Sequence, residues 1–128
     1  MTAGRRILFA DDDPGVQRAL GRLASKRGFE LLPVLAGSDV YQTALAEKPD
    51  LIVLDIHFPD ADGRDVLSRL KADARTAGIP VVVWSGRDPQ SDRRIALDLG
   101  AEDYVEKRDA SSLLPKIERV LLRLGEAG

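Results

Sequence analysis

The chain has 128 residues, the size of one ordinary domain, with 44% hydrophobic and 31% charged residues and no low-complexity tract. Its 19 basic and 21 acidic residues nearly cancel, so bulk attraction to nucleic acid or an anionic membrane is not expected, and the lack of cysteine excludes disulfides, thiolate metal sites and thiol nucleophiles. No apolar stretch approaches the ~20 residues that span a bilayer, and none follows Arg5-Arg6 as a leader would require, so a soluble, cytoplasmic protein is expected.

In chain order, Ile7 to Ala10 is the first continuous apolar run and predicts a strand covered on both faces. Asp13-Pro14 supplies a cap and first turn for a helix carrying Val16, Ala19, Leu20, Leu23 and Ala24 at helical spacing, and Gly28 stops it. Glu30 to Leu35 predicts a second strand, placed at an edge because Pro33 lacks a ladder donor. Ser38 is expected to cap a helix through Val40, Tyr41, Ala44 and Leu45, ended by Pro49. Leu51 to Leu54 is the third strand, and a helix from about Gly63 through Val66, Leu67, Leu70 and Ala74 follows it.

Val81 to Trp84 is the fourth strand. Asp88-Pro89 repeats the cap-then-proline signal before a helix with Ile95, Ala96 and Leu99, closed by Gly100. A weaker run within Glu102 to Glu106 is the fifth strand, at the other edge. The last helix carries Leu114, Ile117, Val120, Leu121 and Leu124, with Ser112 as its expected cap and Pro115 tolerated in the first turn.

Five β-then-α units with short connections predict parallel pairing, right-handed crossovers and helices on both faces, a flavodoxin-like (βα)5 three-layer sandwich with strand order 2-1-3-4-5. All strand carboxyl ends then lie on one edge. Asp11, Asp12 and Asp13 follow the first strand, Asp55 the third, Ser85 the fourth and Lys107 the fifth, so these residues converge on one crevice at the switch point between strands one and three. Pro14 assigns Asp13 to the helix cap and leaves Asp11 and Asp12 for the crevice. Three carboxylates packed together repel unless protons or a cation offset them, and a hard cation such as Mg²⁺ accepts such ligands while leaving room for a phosphate oxygen. A carboxylate at Asp55 can then act as a nucleophile toward phosphorus, with Ser85 and Lys107 offering a donor and a cation to phosphoryl oxygens. Taken singly, each signal has a plainer reading: an acidic helix start, a turn-capping Asp, a serine bound to backbone, a solvated lysine.

The stretches ILFADDDP, LIVLDIHFPDADG, VVVWSGRD and GAEDYVEK, in this order and at these intervals, resemble the receiver domain of two-component response regulators, over essentially residues 5–124 of a single domain spanning 1–128. The resemblance implies a phosphorelay switch rather than a turnover enzyme, with Asp55 as phosphoacceptor and Mg²⁺ held by Asp12, Asp55, the backbone carbonyl of His57 and, through water, Asp11. Ser85 and Lys107 would stabilise the phosphoryl group and Tyr104 would be the aromatic switch residue; a Tyr half-buried on an edge strand is the plainer reading of that ring. For the His57 imidazole, the residues give a place on a loop surface and no role. Gly86 stands where the family has a small residue, and Trp84 is expected in the core, with its indole able to reach the pocket floor.

The implied partners are a histidine kinase or histidine phosphotransfer protein upstream and an effector protein or output domain downstream. The fourth helix, fifth strand and fifth helix form the responding surface and a possible homodimer contact. No direct nucleic-acid or membrane partner is implied, and the chain reads equally as a free-standing regulator or as a receiver from something larger. Arg108 departs from the family's proline after Lys107; a trans Lys107-Arg108 bond is expected, with consequences for the reach of Lys107. Two other readings stay open. Asp11 and Asp13 form an Asp-x-Asp pair like that of haloacid-dehalogenase-like phosphatases, with Asp11 as nucleophile and Asp13 as acid/base, and Arg108 fits an interaction domain that keeps the fold without using the pocket.

Overall fold

The computed structural model describes residues 5–86 and 89–127. Five strands, β1 (Arg5–Ala10), β2 (Phe29–Val34), β3 (Leu51–Asp55), β4 (Val81–Ser85) and β5 (Asp103–Glu106), pair in parallel in the order β2-β1-β3-β4-β5. They alternate with five helices, α1 (Pro14–Lys26), α2 (Val40–Glu47), α3 (Gly63–Ala72), α4 (Pro89–Asp98) and α5 (Leu113–Ala127). This is the flavodoxin-like arrangement expected from the sequence.

The apolar runs without alternation became the three inner strands, and every residue of β3 and β4 is buried. Because successive strand side chains point to opposite faces, β1 splits its residues between two cores. Ile7 and Phe9 join Leu20, Ala24, Ile117 and Leu121 under α1 and α5; Leu8 and Ala10 join Val40, Ala44, Leu67, Leu70 and Ala96 under α2, α3 and α4. Burial of this size on both faces fixes the register, since a one-residue slip would exchange the two sets. Pro33 lies opposite Phe9 on the edge strand β2, where its missing donor leaves no ladder bond unmade inside the sheet.

Helix ends follow the sequence signals in part. Asp13 caps α1 by accepting from the Gly15 and Val16 amides, Pro14 occupies the first position, and Gly28 (φ 85°) and Gly100 (φ 104°) take left-handed conformations that a side chain would strain. Ser38 is not a helix cap: residues 37–39 form a short 3₁₀ turn before α2, and the carboxylate of Asp60 accepts from the Gly37 and Ser38 amides from across the fold. Ser112 is not a cap either, for its hydroxyl donates to the Asp109 carbonyl at the end of a second 3₁₀ stretch, residues 107–112. The α3 helix stops at Ala72, short of Ala74, and Lys48 rather than Pro49 ends α2, in a left-handed conformation. The expected Asp88 cap of α4 lies outside the described residues.

Candidate functional site

The carboxyl ends of β1, β3, β4 and β5 border an open cleft of about 850 Å³ whose lining includes Asp12, Asp55, His57, Asp62, Gly86 and Lys107. Asp11 and Ser85 lie just beneath that surface, 0% and 1% exposed. Strand geometry sets the depth: Asp11 follows directly on the buried end of β1, its amide donating to the Val34 carbonyl, whereas Asp12 one residue on faces out.

One carboxylate oxygen each from Asp11, Asp12 and Asp55 falls within 4.8 Å of the others, a donor set that fits a hard divalent cation. Among the described residues, a single ammonium enters the same space. Lys107 Nζ stands 2.8 Å from Asp11 Oδ2 and 2.7 Å from Asp55 Oδ2, so Arg108 does not shorten its reach. The described residues contain no cis peptide bond, as expected for Lys107-Arg108.

Asp11 is held from three sides. Its Oδ1 accepts from the Asp13 amide, and its Oδ2 accepts from Trp84 Nε1 at 2.9 Å as well as pairing with Lys107. Trp84 takes its expected core place, its ring edge-on against Phe9, and its indole N–H holds Asp11 beneath the cleft without itself lining it. Gln17, buried in α1, donates to the Phe9 and Asp11 carbonyls and ties the helix to the end of β1.

Asp55 is 2% exposed at the end of β3, and its Oδ1 accepts from the His57 amide. Burial raises its pKa above the ordinary carboxylate value; the bonds from Lys107 and the His57 amide oppose that rise without cancelling it, and Asp11 adds repulsion. On Lys107 burial works the other way, lowering the pKa, but the bonds to Asp11 and Asp55 prevail and hold it above the usual lysine value. The loop after Asp55 returns close to the strand because Gly63 permits it: a Cβ there would lie 2.5 Å from the Asp55 carbonyl oxygen, and the Gly63 amide donates to Ile56 O.

Two side chains stand differently from expectation. Tyr104 is 4% exposed and packs in the core cluster with Val83, Ala96 and Ala101, so it is a buried residue and not a half-buried edge tyrosine. The His57 ring is not a plain surface group: its Nε2 lies 2.9 Å from Asp92 Oδ2 on α4, and the Ser85 hydroxyl donates to that same oxygen at 2.6 Å. Sequence reasoning did not single out Asp92. An acid in the first turn of a helix is favoured by the helix dipole alone, and nothing local announces that it turns inward.

The Asp-x-Asp phosphatase reading is not met by this geometry. Asp13 spends its carboxylate capping α1, and Asp11, its proposed nucleophile, is sealed under Lys107 and Trp84.

Residues 7–118 match the family model for the response regulator receiver domain. The transcriptional regulatory protein GltR of Pseudomonas aeruginosa is 34% identical over 94% of this chain, which covers 50% of GltR. Protein PilH of the same organism is 35% identical over 91% of this chain and 97% of its own length. The chain therefore spans about half the length of GltR and nearly all of PilH. Among solved structures, the BeF3-activated N-terminal receiver domain of Klebsiella pneumoniae RstA superposes with a TM-score of 0.83 at 28% identity, covering 93% of this chain and 99% of that one. Fold, site geometry and relatives agree, and the chain belongs to the response regulator receiver family of two-component signal transduction.

Proposed function

We propose that the chain is a single receiver unit, with its core in residues 5–124, that accepts a phosphoryl group on Asp55 in a Mg²⁺-dependent manner. The observation that carries this reading is the charge balance of the pocket: three carboxylates meet one ammonium, and the carboxylate that opens onto the cleft from β3 is the one whose pKa burial raises. A further cation completes such a set. Asp12, Asp55, the His57 carbonyl and, through water, Asp11 would hold Mg²⁺, and the ion would screen the carboxylates from an incoming phosphoryl group.

In the transfer, an Asp55 carboxylate oxygen attacks phosphorus while the P–N bond of a donor phosphohistidine breaks, and the departing imidazole takes up a proton. The donor is a histidine kinase or a histidine phosphotransfer protein. Lys107 already lies on Asp55 and exchanges one anionic partner for another, while Ser85 supplies a hydroxyl to a phosphoryl oxygen. Gly86, exposed beside the Lys107 stem, leaves the acyl phosphate accessible to water or a partner protein. The rearranged α4-β5-α5 face, with Tyr104 at its core, is read by an effector protein or output domain and offers a possible homodimer contact; the chemistry is that of a switch in the cytoplasm and not of a turnover enzyme.

Amide spectra of the apo protein, and of the protein with Mg²⁺ and the phosphate mimic beryllofluoride, test both halves of the proposal. Shifts at Ser85, Gly86 and Lys107 together with Tyr104 are expected. An unchanged spectrum would refute binding, and shifts confined to the cleft would refute coupling to the responding face.

A further inference from the structure

We infer that Asp92 is a positioning residue that holds Ser85 out of use until the phosphoryl group arrives, and so sets how readily the switch turns on. The inference rests on the reading of Asp55 as phosphoacceptor and adds a group on α4 to it.

A serine hydroxyl has one proton to donate. Here it goes to Asp92 Oδ2 at 2.6 Å, between Ser85 at 1% and Asp92 at 7% exposure, so solvent does not compete for it. A bond from a hydroxyl to a carboxylate is charge-assisted and among the stronger hydrogen bonds of a folded chain. The same oxygen takes the His57 Nε2 contact at 2.9 Å, which fixes Asp92 against the loop that follows Asp55. Asp92 therefore closes a clamp between the end of β4, the β3-α3 loop and the first turn of α4. Ser85 cannot give its proton to a phosphoryl oxygen on Asp55 and to Asp92 at once, so the on state requires this bond to break. Its breaking loosens α4 from the cleft, which links the acceptor chemistry to the responding face through one named contact.

The test is a beryllofluoride titration of the full chain at fixed Mg²⁺, followed by the fluorescence of Trp84, the only tryptophan present and a neighbour of Asp11 and Lys107. Asp92→Ala is expected to bind about tenfold more tightly than wild type, and Asp92→Asn, which keeps a neutral acceptor, by an intermediate factor. Ser85→Ala is expected to bind more weakly than wild type, and Asp92→Ala added to Ser85→Ala to bring no gain, because the gain comes from the released hydroxyl. Circular dichroism establishes that each variant is folded; should the alanine variant fail to fold, the asparagine variant and its Ser85→Ala double carry the same comparison. Unchanged or weaker binding by the folded Asp92 variants would overturn the inference, as would an equal gain in the Ser85→Ala background, which would mean that only the negative charge of Asp92 mattered. Silence from wild type would instead remove the phosphoacceptor reading and the inference with it.

Discussion

Two clusters of aspartate and cation in this molecule carry opposite electrostatic signs of their purpose. On the surface, Asp73 accepts from the Arg75 side chain and amide and from the Tyr41 hydroxyl, and Arg69 lies over the Tyr41 ring at 3.8 Å. Its pKa is held well below the ordinary carboxylate range, first by the Arg75 side chain and then by Tyr41. In the cleft, Asp55 has a cation just as near, yet its pKa is raised because burial outweighs Lys107 and a second carboxylate shares that ammonium. The surface group is satisfied as it stands. The cleft is short of positive charge, and a site built that way is completed by what binds to it.

The largest effect on this contrast is expected from Lys107→Ala, which leaves Asp11 and Asp55 facing each other with no ammonium. Folding should weaken by about 2 kcal/mol at neutral pH, measured by urea denaturation, and Mg²⁺ should restore more stability to this variant than it adds to wild type. A variant as stable as wild type and indifferent to Mg²⁺ would mean that the cleft carboxylates are already relieved by other means.

The next effect has the reverse sign. A carboxyl whose native pKa is raised binds its proton more readily folded than unfolded, so its contribution is favourable at low pH and is lost as pH rises through the native value. Asp55→Asn imitates the protonated form. It should be more stable than wild type by about 1 kcal/mol at pH 7, and the advantage should vanish on acidification below the ordinary carboxylate value, as read from melting curves across pH. Asp73 should behave oppositely: its lowered pKa gives a stability that is present at neutral pH and lost as pH falls through the native value, so Asp73→Asn should be the less stable protein at pH 7.

The smallest expected change is that of Tyr41→Phe, which removes one donor to Asp73 while keeping the ring under Arg69. A loss of ~0.5 kcal/mol, insensitive to Mg²⁺, would mark the surface cluster as structural; a Mg²⁺-dependent loss would undo the distinction between the two regions.

Much of this architecture was legible in the residues themselves. Runs such as Leu51 to Leu54 and Val81 to Trp84 have no polar face to offer water, so the inner strands and their parallel pairing followed, and strand-end geometry then brought Asp11, Asp12, Asp55 and Lys107 together. What escaped is carried by contacts between distant residues. Asp60, from across the fold, binds the amides of Gly37 and Ser38 themselves, and residues 37–39 form a 3₁₀ turn that delays the helix to Val40. Tyr104 is more deeply buried than an edge strand suggests, since α4 covers that edge. Asp92 and the His57 ring look like ordinary polar surface in the sequence, and only the packing of α4 against the cleft brings Asp92 onto both Ser85 and the His57 ring.

The most direct test of the central claim is exposure of the chain to a small-molecule phosphodonor such as acetyl phosphate, with and without Mg²⁺, followed by intact-mass spectrometry and mapping of the modified residue. One acid-stable, base-labile phosphoryl group that requires Mg²⁺ and disappears in Asp55→Asn is the predicted result. An adduct that persists in Asp55→Asn, or none on the wild-type chain, would contradict the account.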